Sequence, residues 1–246
     1  MVKNQLTNPG AEVTSRNAPD RLGFWIAVLT TVLTAAAFAI GLATPPRSGP
    51  FCVTTCIAYP YTSVAAFVPR DYRWMYIAIL LTPLFGVLLA CIHSGIRDNK
   101  RVFSRIALSF ALISAAVITT DYFIQLEVMQ PSLLKGETEG LTLFLQYNPH
   151  GIFIALEDLG YLMLSASFLF SSAVFSDGRG LERALQWLFL IASLSAFAAY
   201  LGMSISYGTN LEYRFEVVVI TITWTTLIVA GALLSFWFQR GVQNHS

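Results

Sequence analysis

Two adjacent carboxylates, Glu157 and Asp158, stand inside a segment that is otherwise apolar enough to lie in a lipid bilayer. An ionised acid near the centre of a membrane-spanning helix costs roughly 2.5–3.5 kcal/mol on insertion scales, and less towards the interface. Such residues usually face the interior of a helix bundle or a water-filled cavity. The pair therefore indicates a polar site within an apolar chain.

A third acid, Asp121, is expected at the same depth as this pair. Asp121 lies six residues before Glu127, near the end of one predicted helix, which is about 9 Å along the axis. Glu157 lies seven residues after His150, near the start of the next predicted helix, which is about 10 Å. Because sequential helices joined on the same side of the membrane are usually neighbours, we expect these acids to share one site.

Helical periodicity adds polar companions to the acids. His150, Glu157 and Tyr161 fall on one face of their helix, and Gln125 shares a face with Asp121. The sixth predicted span adds Arg214 and Glu216 near the same surface, where Arg214 is expected to pair with Glu216 or a deeper acid. The candidate residues for binding a ligand or a proton are Asp121, Gln125, Glu157, Asp158, Tyr161 and Tyr200.

Three kinds of chemistry suit such a cluster. Carboxylates that crowd together in a low dielectric cannot all stay ionised, so one is expected to hold a proton, as in proton-linked transporters. A divalent metal is a second use, because His150, Glu157 and Asp121 offer nitrogen and oxygen ligands with an open position. In the third interpretation the acids only bond Tyr, Ser and Gln side chains and hold helices together. The sequence leaves all three open.

Cys52 and Cys56 form the other pair of reactive groups, four residues apart in one loop. No His or further Cys lies near them, so they make a poor zinc site, which needs four ligands. In an oxidising compartment the pair predicts a local disulfide, and in a reducing one it predicts two free thiols.

Six long apolar segments must position these residues. The chain of 246 residues is 55% hydrophobic and 12% charged, about half the charged fraction of soluble domains. A segment of about 20 apolar residues crosses a bilayer as a helix, so the sequence predicts an all-α, six-helix membrane bundle. A kink is expected at Pro83, and the third span is expected to end before Pro131. The predicted spans are 22–44, 73–94, 102–128, 150–175, 184–206 and 215–238, with a disordered tail at 1–21, a long loop at 45–72 and a polar tail at 239–246.

Basic residues predict the orientation of the bundle. If the N-terminus is cytoplasmic, the inner segments hold ten of the 15 Lys and Arg residues, and these segments are the short ones to which the positive-inside rule applies. Both termini are then expected inside, with loop 45–72 and its two cysteines outside. The small size and the lack of an organellar presequence favour a prokaryotic inner membrane.

The function that we expect from the sequence is binding or proton-linked transport of a small solute or amphiphile in an outward-facing acidic cavity between the third and fourth spans. A membrane-embedded enzyme acting on a lipid, with or without a divalent metal, is one alternative. A non-catalytic accessory subunit, bound to a partner membrane protein or to a second copy, is the other. The chain has no basic cluster for nucleic acid, and none of the common hydrolase, zinc-protease or nucleotide-binding motifs.

Overall fold

The computed structural model describes residues 9–61 and 63–243, and in this part of the chain all regular structure is helical. A π-helical turn covers Gln125–Met129, and short 3₁₀ turns lie in the connections. The α-helices are α1 (Pro9–Ala43), α2 (Met75–Ala78), α3 (Leu81–Gly95), α4 (Arg101–Ile124), α5 (Gln130–Lys135), α6 (Ile152–Val174), α7 (Leu181–Tyr207) and α8 (Tyr213–Gln243).

Within the described residues, six helical stretches are long and apolar enough to cross a membrane, which confirms the all-α fold and the predicted number of such helices. Each overlaps the range expected from hydropathy, and together they support a multi-pass membrane protein. The stretches are Ala18–Ala43, Arg70–Gly95, Asp98–Lys135, Ile152–Val174, Leu181–Asn210 and Tyr213–Gly241.

The second span is interrupted at the proline, as predicted. Helix α2 ends at Ala78 and α3 begins at Leu81, so the break lies just before Pro83. Proline has no N–H to donate to the carbonyl four residues earlier, here that of Ile79. The span therefore consists of two helical pieces.

The third span does not end before Pro131, as the sequence suggested, but continues to Lys135. A π-helical turn at Gln125–Met129 precedes α5, and Pro131 occupies the first turn of that short helix. In a first turn the missing N–H of proline is not needed, so the helix runs on.

The first helix also extends beyond its predicted range. It begins at Pro9, so residues 9–21 of the expected disordered tail are helical, while residues 1–8 lie outside the described part of the chain. Proline suits a first helical position because the N–H that it lacks would have no partner there.

The long helices close into a ring. Helix α1 packs against α3 and α8, α3 against α4, α4 against α6, α6 against α7, and α7 against α8. Helix α6 also crosses the ring to contact α8. The expected contact between the third and fourth spans is present as α4 against α6. The additional contact between α6 and α8 brings polar residues of the fourth and sixth spans together.

The two ends of the ring differ in their connections. At one end, which we call the disulfide end, a disulfide joins Cys52 and Cys56, whose Cα atoms lie 5.8 Å apart. The opposite end, which we call the basic end, carries Lys100 in the α3–α4 connection and Asp177 in the α6–α7 connection, 3.3 Å apart as an ion pair. The disulfide agrees with the sequence prediction.

Candidate functional site

A pair of carboxyl groups lies at the contact of α6 with α8. Glu157 is fully buried on α6, and its carboxyl group interacts electrostatically with that of Glu216 on α8. Two neighbouring carboxyl groups in a low dielectric disfavour ionisation of both at once, and a proton on one of them removes the repulsion. The pair can therefore hold a proton between two helices.

Three donors in series fix the other side of Glu157. Trp224 Nε1 donates to the Tyr161 hydroxyl over 2.9 Å, the Tyr161 and Tyr122 hydroxyls are 2.8 Å apart, and Tyr122 donates to Glu157 Oε1 over 2.5 Å. An indole N–H can only donate, so the donors run from Trp224 through both tyrosines to Glu157. Oε1 is thereby occupied as an acceptor, whereas Oε2 is buried without a hydrogen-bond partner among the described residues.

Asp121 and Asp158 flank this pair. Asp121 on α4 is buried, Asp158 is partly buried on α6, and both interact electrostatically with Glu157 and Glu216. The sequence therefore placed Asp121, Glu157 and Asp158 in one region correctly. Predicted Tyr161 is also here, as a member of the donor series, whereas buried Gln125 donates to the backbone carbonyl of Phe144 over 2.5 Å.

Other predicted members of the site lie elsewhere. The side chain of His150 is 58% exposed, and its Nε2 is 3.8 Å from Glu212. The ring of Tyr200 stands edge-on to Phe215 and is 37% exposed. Arg214 pairs with Glu212 over 3.0 Å rather than with an acid of the buried cluster.

The predicted metal ligands are not brought together. His150 is at the surface, whereas Glu157 and Asp121 are buried, and Glu157 already accepts a hydrogen bond from Tyr122. Residues 9–61 and 63–243 contain no group of three His, Cys, Asp or Glu side chains that could hold a metal ion. The geometry of the cluster suits a proton better than a divalent metal.

A cavity of about 380 Å³ lies at the disulfide end between α1, α8 and the residues before α2. Glu216 forms part of its wall, so one member of the acid pair reaches the cavity and the other is buried behind it. The sequence placed the cavity between the third and fourth spans, but this cavity lies between the first, second and sixth. Its wall includes Phe38, Gly41, Leu42, Arg47, Ser48, Asp71, Trp74, Gln146, Tyr147, Tyr213, Glu216, Val217, Ile220, Thr221 and Trp224.

Aromatic rings form the deeper wall. The ring centroids of Trp74 and Trp224 are 6.0 Å apart, and Phe38 stands edge-on to Trp224 at 5.9 Å. Trp224 belongs to both the cavity and the donor series that ends on Glu157. The cavity is thus connected to Glu157 in two ways, through Glu216 and through Trp224.

The rim of the cavity carries a cluster of ion pairs. Asp71 pairs through Oδ2 with Arg47 Nε and through Oδ1 with Arg70 Nε, each over 3.0 Å, and the Arg47 guanidinium lies 4.2 Å from the centre of the Phe67 ring. Burial, reinforced by Tyr72 and Asp71, raises the pKa of Tyr147 well above its usual range, so its hydroxyl stays neutral. Asp71 is thus held by two arginines, whereas Glu216, the other acid in the cavity wall, is in no ion pair within the described part of the chain.

Sequence reasoning missed the role of Tyr122, Trp74 and Trp224. One signal was present, because Glu216 and Trp224 are eight residues apart, on one face of α8 with Ile220 between them. That face lines the cavity.

A comparison of the chain with protein-family models, curated proteins and solved structures finds no match.

Proposed function

We propose that this membrane protein binds a small amphiphile in the cavity between α1 and α8 and exchanges a proton at the Glu157–Glu216 pair when it does so. The observation that carries the proposal is the position of Glu216, in the wall of the cavity and beside a fully buried acid with which it interacts electrostatically. A ligand beside Glu216 changes the environment of the shared proton directly.

The proton-linked part of the proposal depends on every charged group near the pair. Asp121 and Asp158 approach the pair from α4 and α6, and any negative charge on them favours keeping the proton while the cavity is empty. At the rim, Asp71 is paired with both Arg47 and Arg70. The neutral groups that face the pair or line the cavity are Tyr122, Tyr147, Tyr161 and Tyr213.

We also propose that both termini are cytoplasmic and that the disulfide end faces outward. Ten of the 15 basic residues then lie on the cytoplasmic side, and the cystine lies in an oxidising compartment. The cavity opens at the same end as the cystine. In this orientation, which fits the inner membrane of a prokaryote, the cavity is accessible from the outer leaflet.

Ligand-induced changes in thermal stability test the proposal. The protein in lipid nanodiscs is melted at acid, neutral and alkaline pH with dodecylamine, dodecanol or dodecanoate. A ligand that binds only the folded state at a hundredfold excess over Kd stabilises it by about 2.7 kcal/mol. We expect at least one probe to stabilise the wild-type protein in this way. We also expect the size of that stabilisation to change with pH.

Glu157→Gln is the matched variant for the proton. Its amide accepts from Tyr122 and donates to Glu216, which imitates the protonated acid while removing the exchangeable proton. We expect it to fold, to bind the same probe, and to lose most of the pH dependence of binding. If no probe stabilises the wild type at any pH, the proposal is wrong.

A further inference from the structure

We infer that the ligand is a single-chain amphiphile with a protonated amine as its head group, and that it enters the cavity sideways from the bilayer, between α1 and α8. The inference rests on the proposed function, since it assigns the chemical class and the access route of the same ligand. The inference follows from the spacing of α1 and α8, from the distribution of polar side chains in the cavity wall and from the acid in that wall.

Helices α1 and α8 pack closely in their middle parts and separate towards the disulfide end. A Cβ atom added to Gly231 of α8 would lie only 2.8 Å from the Ala27 carbonyl of α1. A Cβ added to Gly41, at the other end of α1, would meet no atom within 4 Å. The two helices therefore leave an opening where Gly41 lines the cavity.

This opening faces the lipid. Leu42 of α1 and Val217 of α8 line the cavity, and yet they are 74% and 46% exposed. Apolar side chains exposed on the spans of a membrane bundle contact acyl chains. An amphiphile already dissolved in the bilayer can reach the cavity along this seam without crossing water.

The polarity of the wall changes with depth, as an amphiphile requires. Arg47, Ser48 and Glu216 lie near the disulfide end, whereas Trp224 lies eight residues further along α8, about 12 Å deeper in the bundle. A volume of about 380 Å³ is at the lower end for ligand pockets, which fits one acyl chain better than a two-chain lipid.

The unpartnered carboxyl oxygen of Glu216 selects the head group. Asp71 is paired with both Arg47 and Arg70, whereas Glu216 lines the cavity and its Oε2 is buried without a hydrogen-bond partner among the described residues. The rings of Trp74 and Trp224 present π-faces that also attract cations. An ammonium head, which donates hydrogen bonds and brings a positive charge, is therefore favoured over an alcohol, and a carboxylate head has no proton to donate.

Two glycine variants test the access route. Gly41→Leu places a side chain in the opening, whereas Gly41→Ala is too small to fill it. Gly202→Leu is the matched control, because a Cβ at Gly202 of α7 also meets no atom within 4 Å and Gly202 does not line the cavity. All three variants are expected to fold, since none creates a clash and each removes a helical glycine.

The measurement is the Kd for dodecylamine in nanodiscs at neutral pH, after subtraction of partitioning into empty nanodiscs. We expect Gly41→Leu to weaken binding about tenfold or more, and Gly41→Ala and Gly202→Leu to leave it unchanged. In the wild type, dodecanol should bind about tenfold more weakly than dodecylamine, and dodecanoate and ethylamine should not bind measurably.

The outcomes separate the two proposals. Equal binding of dodecanol and dodecylamine would overturn the amine assignment, and unchanged binding by Gly41→Leu would overturn access between α1 and α8, while amphiphile binding as such would stand. Measurable binding of ethylamine would show that the apolar chain is not needed. Failure of all the dodecyl probes would remove the proposed function itself.

Discussion

At the scale of single residues, the buried carboxyl of Glu157 is held between hydrogen-bond donors and a second carboxyl. Tyr122 donates to one oxygen, and the other has no hydrogen-bond partner among the described residues. A charged group without partners would be far more costly in this environment than a neutral, hydrogen-bonded one. The donor series from Trp224 therefore stabilises the fold and fixes the position of the Glu157 carboxyl group.

Removal of the Tyr122 hydroxyl is expected to destabilise the protein measurably. Tyr122→Phe leaves Glu157 Oε1 and the Tyr161 hydroxyl without their shared partner, at a cost of about 1–3 kcal/mol. Reversible unfolding in mixed micelles measures the change in the free energy of unfolding. Tyr200→Phe is the control, because Tyr200 lies outside this network. Equal effects of the two substitutions would contradict the importance of the donor series.

The sequence predicted part of this cluster for a clear reason. Asp121 and Glu157 belong to consecutive spans, so helix length and neighbour rules were enough to bring them together. Glu216 belongs to the sixth span. That span reaches the cluster only because the six helices close into a ring, and no local sequence pattern encodes that closure. Tyr200 was misplaced because periodicity gives the faces of one helix but not the rotation of that helix against its neighbours.

At the scale of helices, the contact between α4 and α6 depends on a glycine. A Cβ atom on Gly160 would lie 2.5 Å from Ile118 Cδ1, and Ile118 is fully buried. Small residues allow membrane helices to approach closely, which here brings Tyr122 and Asp121 of α4 next to Glu157 of α6. The geometry of the acid cluster therefore depends on this close approach.

Gly160→Ala is expected to lower the free energy of unfolding by about 1–3 kcal/mol, because the extra methyl group overpacks the contact. The double variant with Ile118→Ala should recover part of the loss, since it removes the atoms that clash. Gly202→Ala serves as the control and should be neutral or slightly stabilising. Unfolding of the four proteins under identical conditions gives the comparison. A Gly160→Ala protein as stable as the wild type would show that the helices separate without cost.

At the basic end, an ion pair connects the α3–α4 and α6–α7 turns. The hydrogen bond from Lys100, with its charge and that of Arg97, holds the pKa of Asp177 below its usual value. A carboxyl with a lowered pKa stabilises the folded state above its ordinary pKa of about 3.9, and this contribution is lost as the pH falls through the lower, folded-state value.

Asp177→Asn should therefore lower Tm slightly at neutral pH, by about 2 °C or less because the group is exposed. The difference from the wild type should close as the pH falls below about 3.9. Thermal melting of both proteins across this range measures it. A difference that is constant down to the lowest pH would mean that the amide, rather than the lost charge, is responsible.

The prolines show what local sequence decides about helices and what it does not. Pro83 breaks the second span as predicted, because the missing N–H acts on the residue four positions earlier. Pro131 does not end the third span, because the π-helical turn before it places proline in a first turn. Hydropathy predicted where the six spans lie. The backbone geometry around Pro83 and Pro131 decided whether each proline interrupts its span.

At the scale of the whole molecule, the orientation proposed here is directly measurable. Alkaline phosphatase fused after residue 140, at the disulfide end, should be active because it is exported, whereas a fusion after residue 178, at the basic end, should be inactive. Equal expression of the two fusions is the control. The reverse pattern of activity would place the cavity on the cytoplasmic side and contradict the positive-inside assignment.

The seam between α1 and α8 also has a consequence for biogenesis. Helix α1 ends at Ala43 and α8 begins at Tyr213, so the two sides of the cavity opening leave the ribosome at nearly opposite ends of translation. Glu157 leaves the ribosome before Glu216 and lacks its carboxyl neighbour until the last helix arrives. Only a chain translated through α8 therefore has a finished cavity, and a chain truncated before α8 leaves Glu157 without Glu216 beside it.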